Sequence, residues 1–325
     1  MKTKKYKNFF TSLFRAGELP EDLYNALLAK MDEQGGMNGC VYEFYLTELE
    51  RRGLFEVDGT PFSTKNSAKT DGTFKYKRPS NPFWHIAHAV TSTIFKFLGW
   101  FASGFVLGAW RVPDRKKLKG VRACVSVSNH VGYLDAVLTR YAFGCRKQYL
   151  IAAPHNCKKG LGGAILKSAT VIPLPINFRG SKAFSDMLRY VADRGGALHF
   201  YPEKSMWVGY KKPRPYKDGP FHYADRLGVP VVPMLYVYPK PRGIRKLLHM
   251  PKMAIKIADP IYADRSLPAM EREADLKRRT QEAVNKLYED FYGIPLEYLS
   301  GDDDGKVNPS AVREEVPAAD TESES

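Results

Sequence analysis

Ala123-Cys124-Val125-Ser126-Val127-Ser128-Asn129-His130-Val131-Gly132-Tyr133-Leu134-Asp135 is the stretch whose reading decides the fold. Ala123, Val125 and Val127 alternate with Arg122, Cys124 and Ser126, the period-2 pattern of a β-strand. Residues from Asp135 to Phe143 have helical character, so a strand runs into a helix through a short loop that carries His130. Asp135 falls at the expected first turn of that helix. An imidazole with one nitrogen held by a carboxylate is fixed in tautomer and orientation, and the imidazolium formed on accepting a proton is stabilised. The helix N-terminus also offers N–H groups to a developing negative charge. Taken alone the spacing is common, and in most chance occurrences such a carboxylate only caps the helix while the histidine is a loop residue.

The same alternation continues downstream. Gln148 to Ala152 reads as a strand, Gly162 to Ser168 as a short helix, and Val171 to Ile176 as an apolar, proline-interrupted strand. Ser181 is read as the cap of a helix on which Phe184, Leu188 and Val191 share a face, ending at Gly195-Gly196. Ala197 to Tyr201 is a strand that runs into the loop Pro202-Glu203-Lys204-Ser205-Met206-Trp207. A helix over Phe221 to Leu227, strands over Val229 to Tyr238 and Met253 to Ile257, and a long helix from about Ala269 to Phe291 complete the pattern. Repeated strand–helix alternation predicts an α/β domain over residues 113–296, a central, mostly parallel sheet flanked by helices on both faces.

Outside that domain the chain divides by composition. Residues 1–56 read as a helical appendage: Pro20, Glu21 and Asp22 suit a helix start, and Leu23, Ala26, Leu27 and Met31 share a face, as do Val41, Phe44, Tyr45 and Leu49. Gly35 and Gly36 separate the two helices, and the segment carries no recognisable chemistry. Phe9 to Phe14 is too short and polar for a signal-peptide core. Residues 57–82 form a polar linker rich in Thr, Ser, Asn, Lys and Gly. Residues 83–112 are hydrophobic, with Lys96 the only Lys, Arg, Asp or Glu between Trp84 and Trp110. The uncharged run from Phe97 to Trp110 spans about 21 Å as a helix, short of the ~30 Å hydrocarbon core. With Trp84, Trp100 and Trp110 suited to an interface and Arg111, Arg115, Lys116, Lys117 and Lys119 following, a helix or hairpin in one leaflet is expected rather than a full span. An ordinary core helix is the competing reading.

Charge supports a surface partner. The net charge is +15, yet residues 297–325 hold nine acids against Lys306 and Arg313, which leaves +22 on the remainder. Such a body attracts anionic lipid or nucleic acid. Nucleic acid is disfavoured, because the aromatics cluster in the hydrophobic segment and no binding module is recognisable. The acidic tail, poor in aromatics, is expected to be disordered. Cys40, Cys124, Cys145 and Cys157 form no metal-ligand spacing and fit a reducing compartment. His85 and His88 lack further ligands, so no metal is expected. His155, His199, His222 and His249 show no partner in sequence and read as structural.

Four stretches together carry a family resemblance. Asn129-His130-Val131-Gly132-Tyr133-Leu134-Asp135 resembles the first signature block of the glycerolipid acyltransferases, the 1-acylglycerol-3-phosphate (lysophosphatidate) acyltransferase family. Tyr201-Pro202-Glu203-Lys204-Ser205 resembles the third block, Val171-Ile172-Pro173-Leu174-Pro175 lies where the second belongs, and Val229-Pro230-Val231-Val232-Pro233-Met234 looks like the fourth. Their order and separations agree with the family over roughly residues 85 to 260. The resemblance implies the glycerolipid acyltransferase fold and transfer of an acyl group from acyl-CoA or acyl carrier protein to 1-acylglycerol-3-phosphate, giving phosphatidic acid. His130 would be the general base and Asp135 its orienting partner, with no acyl-enzyme and no tightly bound cofactor. Asn129, Gly132 and Pro202 complete the motifs, and Glu203 belongs to the acceptor site.

The departures from the pattern concern the acceptor. Pro175 and Ile176 stand where the second block usually has an acidic residue and an arginine, and Arg179 lies nearby. Lys204 replaces the usual glycine and Met206 the usual arginine of the third block. The expected phosphate-binding set is therefore Glu203, Lys204, Ser205, Arg179, Lys211, Lys212 and Arg214. Another lysolipid or glycerol-3-phosphate is the alternative acceptor. The competing classes are a hydrolase using Ser126 or Ser128 with His130, which lacks a Gly-x-Ser-x-Gly elbow, and a non-catalytic basic membrane-binding protein. The expected location is the cytoplasmic face of a membrane.

Overall fold

The computed structural model describes residues 2–62, 67, 69–71, 74, 76, 82–144, 147–157, 160, 170–250 and 252–301. Its strands are β1 (Cys124–Val127), β2 (Gln148–Ala152), β3 (Val171–Pro173), β4 (Ala197–Phe200), β5 (Val231–Val237) and β6 (Ala254–Ile257). They form one sheet in the order β3-β2-β4-β1-β5-β6. The first five are parallel and β6 runs antiparallel to β5. Every residue of β1, β4 and β5 is buried, as central strands covered on both faces must be. The expected α/β class, mostly parallel, is what the sheet shows.

The helices are α1 (Lys2–Arg15), α2 (Glu21–Glu33), α3 (Gly39–Arg51), α4 (Pro82–Phe101), α5 (Asp135–Phe143), α6 (Phe178–Asp193), α7 (Gly219–Leu227), α8 (Ile244–Leu247) and α9 (Ala269–Tyr292). One face of the sheet, through Val125, Val127, Leu198, Leu235 and Val237, packs on Phe184 and Leu188 of α6, Phe221 of α7, and Val284 and Tyr288 of α9. The other face, through Cys124, Val232, Met234 and Tyr236, packs on Leu138, Ala142 and Phe143 of α5 and on Leu107, Val112 and Leu118 before β1. Gly228 and Gly293 close α7 and α9 at φ 68° and 71°, the left-handed conformation glycine adopts without strain.

A third cluster joins the N-terminal helices to the loop after β4. Phe10, Leu13, Leu23, Leu27, Tyr45 and Leu49 pack together with Trp207 and Tyr210. Trp207 Nε1 donates to the Val57 carbonyl at 2.9 Å, and the Tyr42 hydroxyl accepts from the Val208 N–H at 2.9 Å. Helix α1 is not among the helices read from the sequence of residues 1–56. Its apolar residues at 6, 9, 10, 13 and 14 nevertheless follow a helical face. The stretch read as a polar linker is anchored where it is described, with Tyr76 buried against Phe184 and the Thr70 carbonyl accepting from Ile176 N at 3.1 Å.

Other boundaries shift for local reasons. Asn177, not Ser181, caps α6, its side chain accepting from Gly180 N at 3.1 Å. The short helix expected over Gly162 to Ser168, the acidic tail from residue 302 and Cys145 lie outside the described residues. The hydrophobic segment is a single 20-residue helix, α4, followed by a π-helical turn over Ala102–Val106. No helix among the described residues is long and apolar enough to cross a membrane. Ile86, Val90, Ile94 and Phe97 of α4 are exposed, while a Cβ added at Gly99 would lie 3.7 Å from Val137 of α5.

His199 on β4 is fully buried between Ser126 of β1 and Ser128 just beyond it, with Nδ1 2.9 Å from Ser126 Oγ and Nε2 3.2 Å from Ser128 Oγ. Burial lowers its pKa from 6.5 to about 3, so the folded protein holds it neutral. The unfolded chain binds a proton below pH 6.5 that the folded one refuses until about pH 3, so this contribution to stability is present above pH 6.5 and lost as pH falls. Urea unfolding of His199→Gln is expected to show a weaker acid dependence between pH 6.5 and 4, by up to about 1.4 kcal/mol per pH unit.

Candidate active site

Parallel pairing of β1 with β4 sets the Val127 and Phe200 ends side by side, so the loops that follow leave the sheet at the same edge. The helix after β1 covers one face and the helix after β4 covers the other. Connections that diverge in this way open a crevice beyond the carboxyl ends of the strands, where ligands bind in α/β sheets. His130 lies on the first loop and Glu203 on the second.

The His130 and Asp135 side chains do meet. Nδ1 of His130 is 2.9 Å from Oδ2 of Asp135. The same oxygen accepts from Val131 N at 2.7 Å and Gly132 N at 2.9 Å. An oxygen already accepting two backbone N–H groups is not itself a donor, so Nδ1 carries the hydrogen, which in a neutral ring leaves the lone pair on Nε2. The Val131 and Gly132 N–H groups, which precede α5, are thus spent on Asp135. Burial raises the Asp135 carboxyl above its usual range, opposed chiefly by His130. The ring of His130 stacks on Tyr201, centroids 4.0 Å apart and planes 14° apart, with the histidine side chain 24% exposed and Asp135 buried.

Asn129 pins the loop to β5. Its side-chain amide donates to the Tyr236 carbonyl at 3.2 Å and its oxygen accepts from Tyr236 N at 2.8 Å, which extends strand pairing by a side chain. The Tyr236 hydroxyl donates to the Asp135 carbonyl at 2.8 Å and so ties the start of α5 to the same strand. Gly132 leaves room for the carboxylate, since a Cβ there would sit 3.1 Å from Asp135 Oδ1 and press on it.

Glu203 is buried, and both its oxygens are occupied. Oε2 accepts from His130 N at 3.1 Å and from Arg214 Nε and Nη2 at 3.1 and 2.8 Å, and Oε1 accepts from Arg214 N at 2.7 Å. Burial raises its carboxyl and Arg214 pulls it back down. Arg214 is itself fully buried, its guanidinium 4.4 Å over the Trp207 ring. Its Nη1 donates to Phe55 O and Ser205 Oγ at 2.8 and 2.7 Å, and Nη2 also donates to Ser205 O at 2.5 Å.

The cations singled out in sequence therefore separate. Arg214 and Ser205 are engaged with Glu203 inside the protein rather than open to a phosphate. Lys212 is buried against Glu50 at 2.5 Å. Lys211 is half-buried, with burial lowering its pKa. Lys204 is exposed at φ 69° and lies 3.8 Å from Glu56, and Arg179 is exposed in the first turn of α6. Pro202 is buried at the end of β4. Sequence reasoning missed Tyr201 as a stacking partner, Phe55 and Glu50 as clasp residues, and Glu273, 2.9 Å from His222. Only Tyr201 had a local signal, its place in the motif. Ser126 and Ser128 face His199 and make no hydrogen bond to His130. Among the described residues no group of three or more His, Cys, Asp or Glu could hold a metal ion.

A histidine held by a buried carboxylate beyond the carboxyl ends of parallel strands is an arrangement that can take a proton from a bound hydroxyl or water. The matching family narrows that class. Residues 109–237, which include both loops, match the family model described as Acyltransferase. Among solved structures the chain is similar to the crystal structure of the 1-acyl-sn-glycerophosphate (LPA) acyltransferase PlsC from Thermotoga maritima, at 16% identity and a TM-score of 0.47, covering 79% of this chain and 97% of that one. No curated protein matches the chain.

Two outcomes test the geometry. Asp135→Asn places an amide where the carboxylate fixed the ring, and turnover is expected to fall about 10²- to 10⁴-fold with far-ultraviolet circular dichroism unchanged. Arg214→Ala strands the Glu203 charge in the interior and is expected to cost about 3–5 kcal/mol in urea unfolding, whereas loss of less than about 1 kcal/mol would show that the clasp is not a structural element.

Proposed function

We propose that this protein is a membrane-associated O-acyltransferase that moves a fatty acyl group from acyl-CoA or acyl carrier protein to 1-acylglycerol-3-phosphate, giving phosphatidic acid. The observation that carries the reading is the 2.9 Å His130–Asp135 hydrogen bond within the matched Acyltransferase domain. Nε2 of His130 takes the proton from the acceptor hydroxyl as its oxygen attacks the thioester carbonyl carbon. The carbon–oxygen bond forms, the carbon–sulfur bond breaks, and the proton passes from His130 to the departing thiolate. Asp135 holds the tautomer and stabilises the imidazolium between those steps.

Several features support the remaining parts. Lys204 and Arg179, the exposed members of the cationic set, are the candidates for the acceptor phosphate. Lys211 flanks them as a partly buried cation. Glu203, through the His130 N–H, holds the base rather than the acceptor. The exposed apolar face of α4 suits one leaflet of a membrane, where the lysolipid acceptor resides, and the basic body suits anionic lipid and anionic thioester donors.

The test is purified protein offered lysophosphatidic acid, other lysolipids and glycerol-3-phosphate with each donor type, with products identified by mass spectrometry. Phosphatidic acid is the expected product, and His130→Ala is expected to lower its formation by at least about 10²-fold. Acyl release to water without acceptor, or near-normal transfer by His130→Ala, would overturn the reading.

A further inference from the structure

The connection from β5 to β6 carries α8 and takes no part in the chemistry above. Ile244, Leu247 and Leu248 there are 70%, 75% and 58% exposed. Three large aliphatic side chains in water within five residues are unfavourable in proportion to their area, and such patches mark contact surfaces. Lys240, Arg242 and Lys246 are exposed around them, and no Asp or Glu occurs from Lys240 to Ile257.

Where this element sits matters as much as its composition. The Tyr238 hydroxyl, at the start of the connection, donates to the Val131 carbonyl at 3.0 Å, beside His130. Arg245 then clamps the connection to the turn that follows α4, with Nη1 donating to Phe105 O at 2.8 Å and Nη2 to Val106 O at 2.5 Å. Gly108, at φ 67°, passes so close that a Cβ there would lie 2.8 Å from Arg245 Nε. Met253 N adds a bond to Leu107 O at 2.9 Å. Phe105 and Trp110, themselves 48% and 47% exposed, are thus fixed next to α8. The apolar surface of α4 and its turn continues onto α8 at the His130 end of the sheet.

We propose that α8 is a second membrane anchor, whose Ile244, Leu247 and Leu248 enter an anionic lipid monolayer while Lys240, Arg242 and Lys246 meet its headgroups. Its occupant is lipid because the patch is apolar at the centre, uniformly cationic at the rim, and continuous with the exposed face of α4. Two contact points at one end of the sheet set His130 against the leaflet that holds the acceptor. The inference rests on the reading of the protein as a membrane-associated acyltransferase.

The experiment uses the full chain on phosphatidylcholine vesicles with and without phosphatidylglycerol. The triple variant Ile244→Ser, Leu247→Ser, Leu248→Ser is expected to partition at least about tenfold more weakly, with an unchanged thermal midpoint. Lys240→Glu with Lys246→Glu is expected to abolish the preference for phosphatidylglycerol. Partition of either variant equal to the parent's overturns the anchor, as does a parent dimer in lipid-free solution that the triple variant dissolves. Turnover of lysophosphatidic acid by the parent on the same vesicles is read separately. A parent that binds, loses binding in the triple variant and makes no product sinks the acyltransferase reading alone. A parent that makes product while the triple variant binds equally sinks the anchor alone.

Discussion

One buried carboxylate oxygen, Oε2 of Glu203, accepts from the backbone of His130 and from the side chain of Arg214. That pair of contacts joins the loop after β1 to the loop after β4, and through Arg214 Nη1 to Phe55, beyond α3. Two further main-chain bonds, Trp207 N to His130 O at 3.0 Å and Gly209 N to Val131 O at 2.9 Å, run between the same loops. The base therefore stands on a backbone held from three directions. Desolvating Glu203 is offset only because four donors converge on it, and the same convergence makes the segment intolerant of losing any one partner.

Burial acts on the two carboxylates alike and serves them differently. Asp135 and Glu203 both have their pKa raised by desolvation, and in each nearby donors oppose that rise. Asp135 directs its contacts to a ring with a free nitrogen, which couples it to chemistry. Glu203 directs its contacts to a peptide N–H and a guanidinium without free valence, which makes it a fastener. The N-terminal helices, which bear no recognisable chemistry of their own, supply the walls that keep this fastener dry: Trp207 and Tyr210 pack into their cluster, and Glu50 receives both Lys212 and the Leu299 N–H.

Much of this was legible locally. The period-2 run into Asn129, the helix beginning at Asp135 and the strand end at Ala152 all follow from alternation and spacing, because neighbours in sequence set them. The His130–Asp135 bond was legible only in company, since the spacing alone is common and the downstream blocks at Val171, Tyr201 and Val229 singled it out. Helix α1 was legible and overlooked, its face of Phe9, Phe10 and Leu13 masked by four lysines.

The sequence by itself determined the α/β pattern, the excess of positive charge and the pairing of His130 with Asp135. Only the tertiary structure decided what the cations do. Arg214 and Lys212 look like free positive charges in a basic loop, yet their partners Phe55 and Glu50 lie 159 and 162 residues away in sequence. No local pattern announces a contact at that separation, and a buried charge must find its partner wherever the chain's folding places one. The same holds for α8: its aliphatic residues are ordinary in sequence, and only the clamp of Arg245 on the Phe105 and Val106 carbonyls sets them beside the apolar face of α4 at the end of the sheet where His130 works.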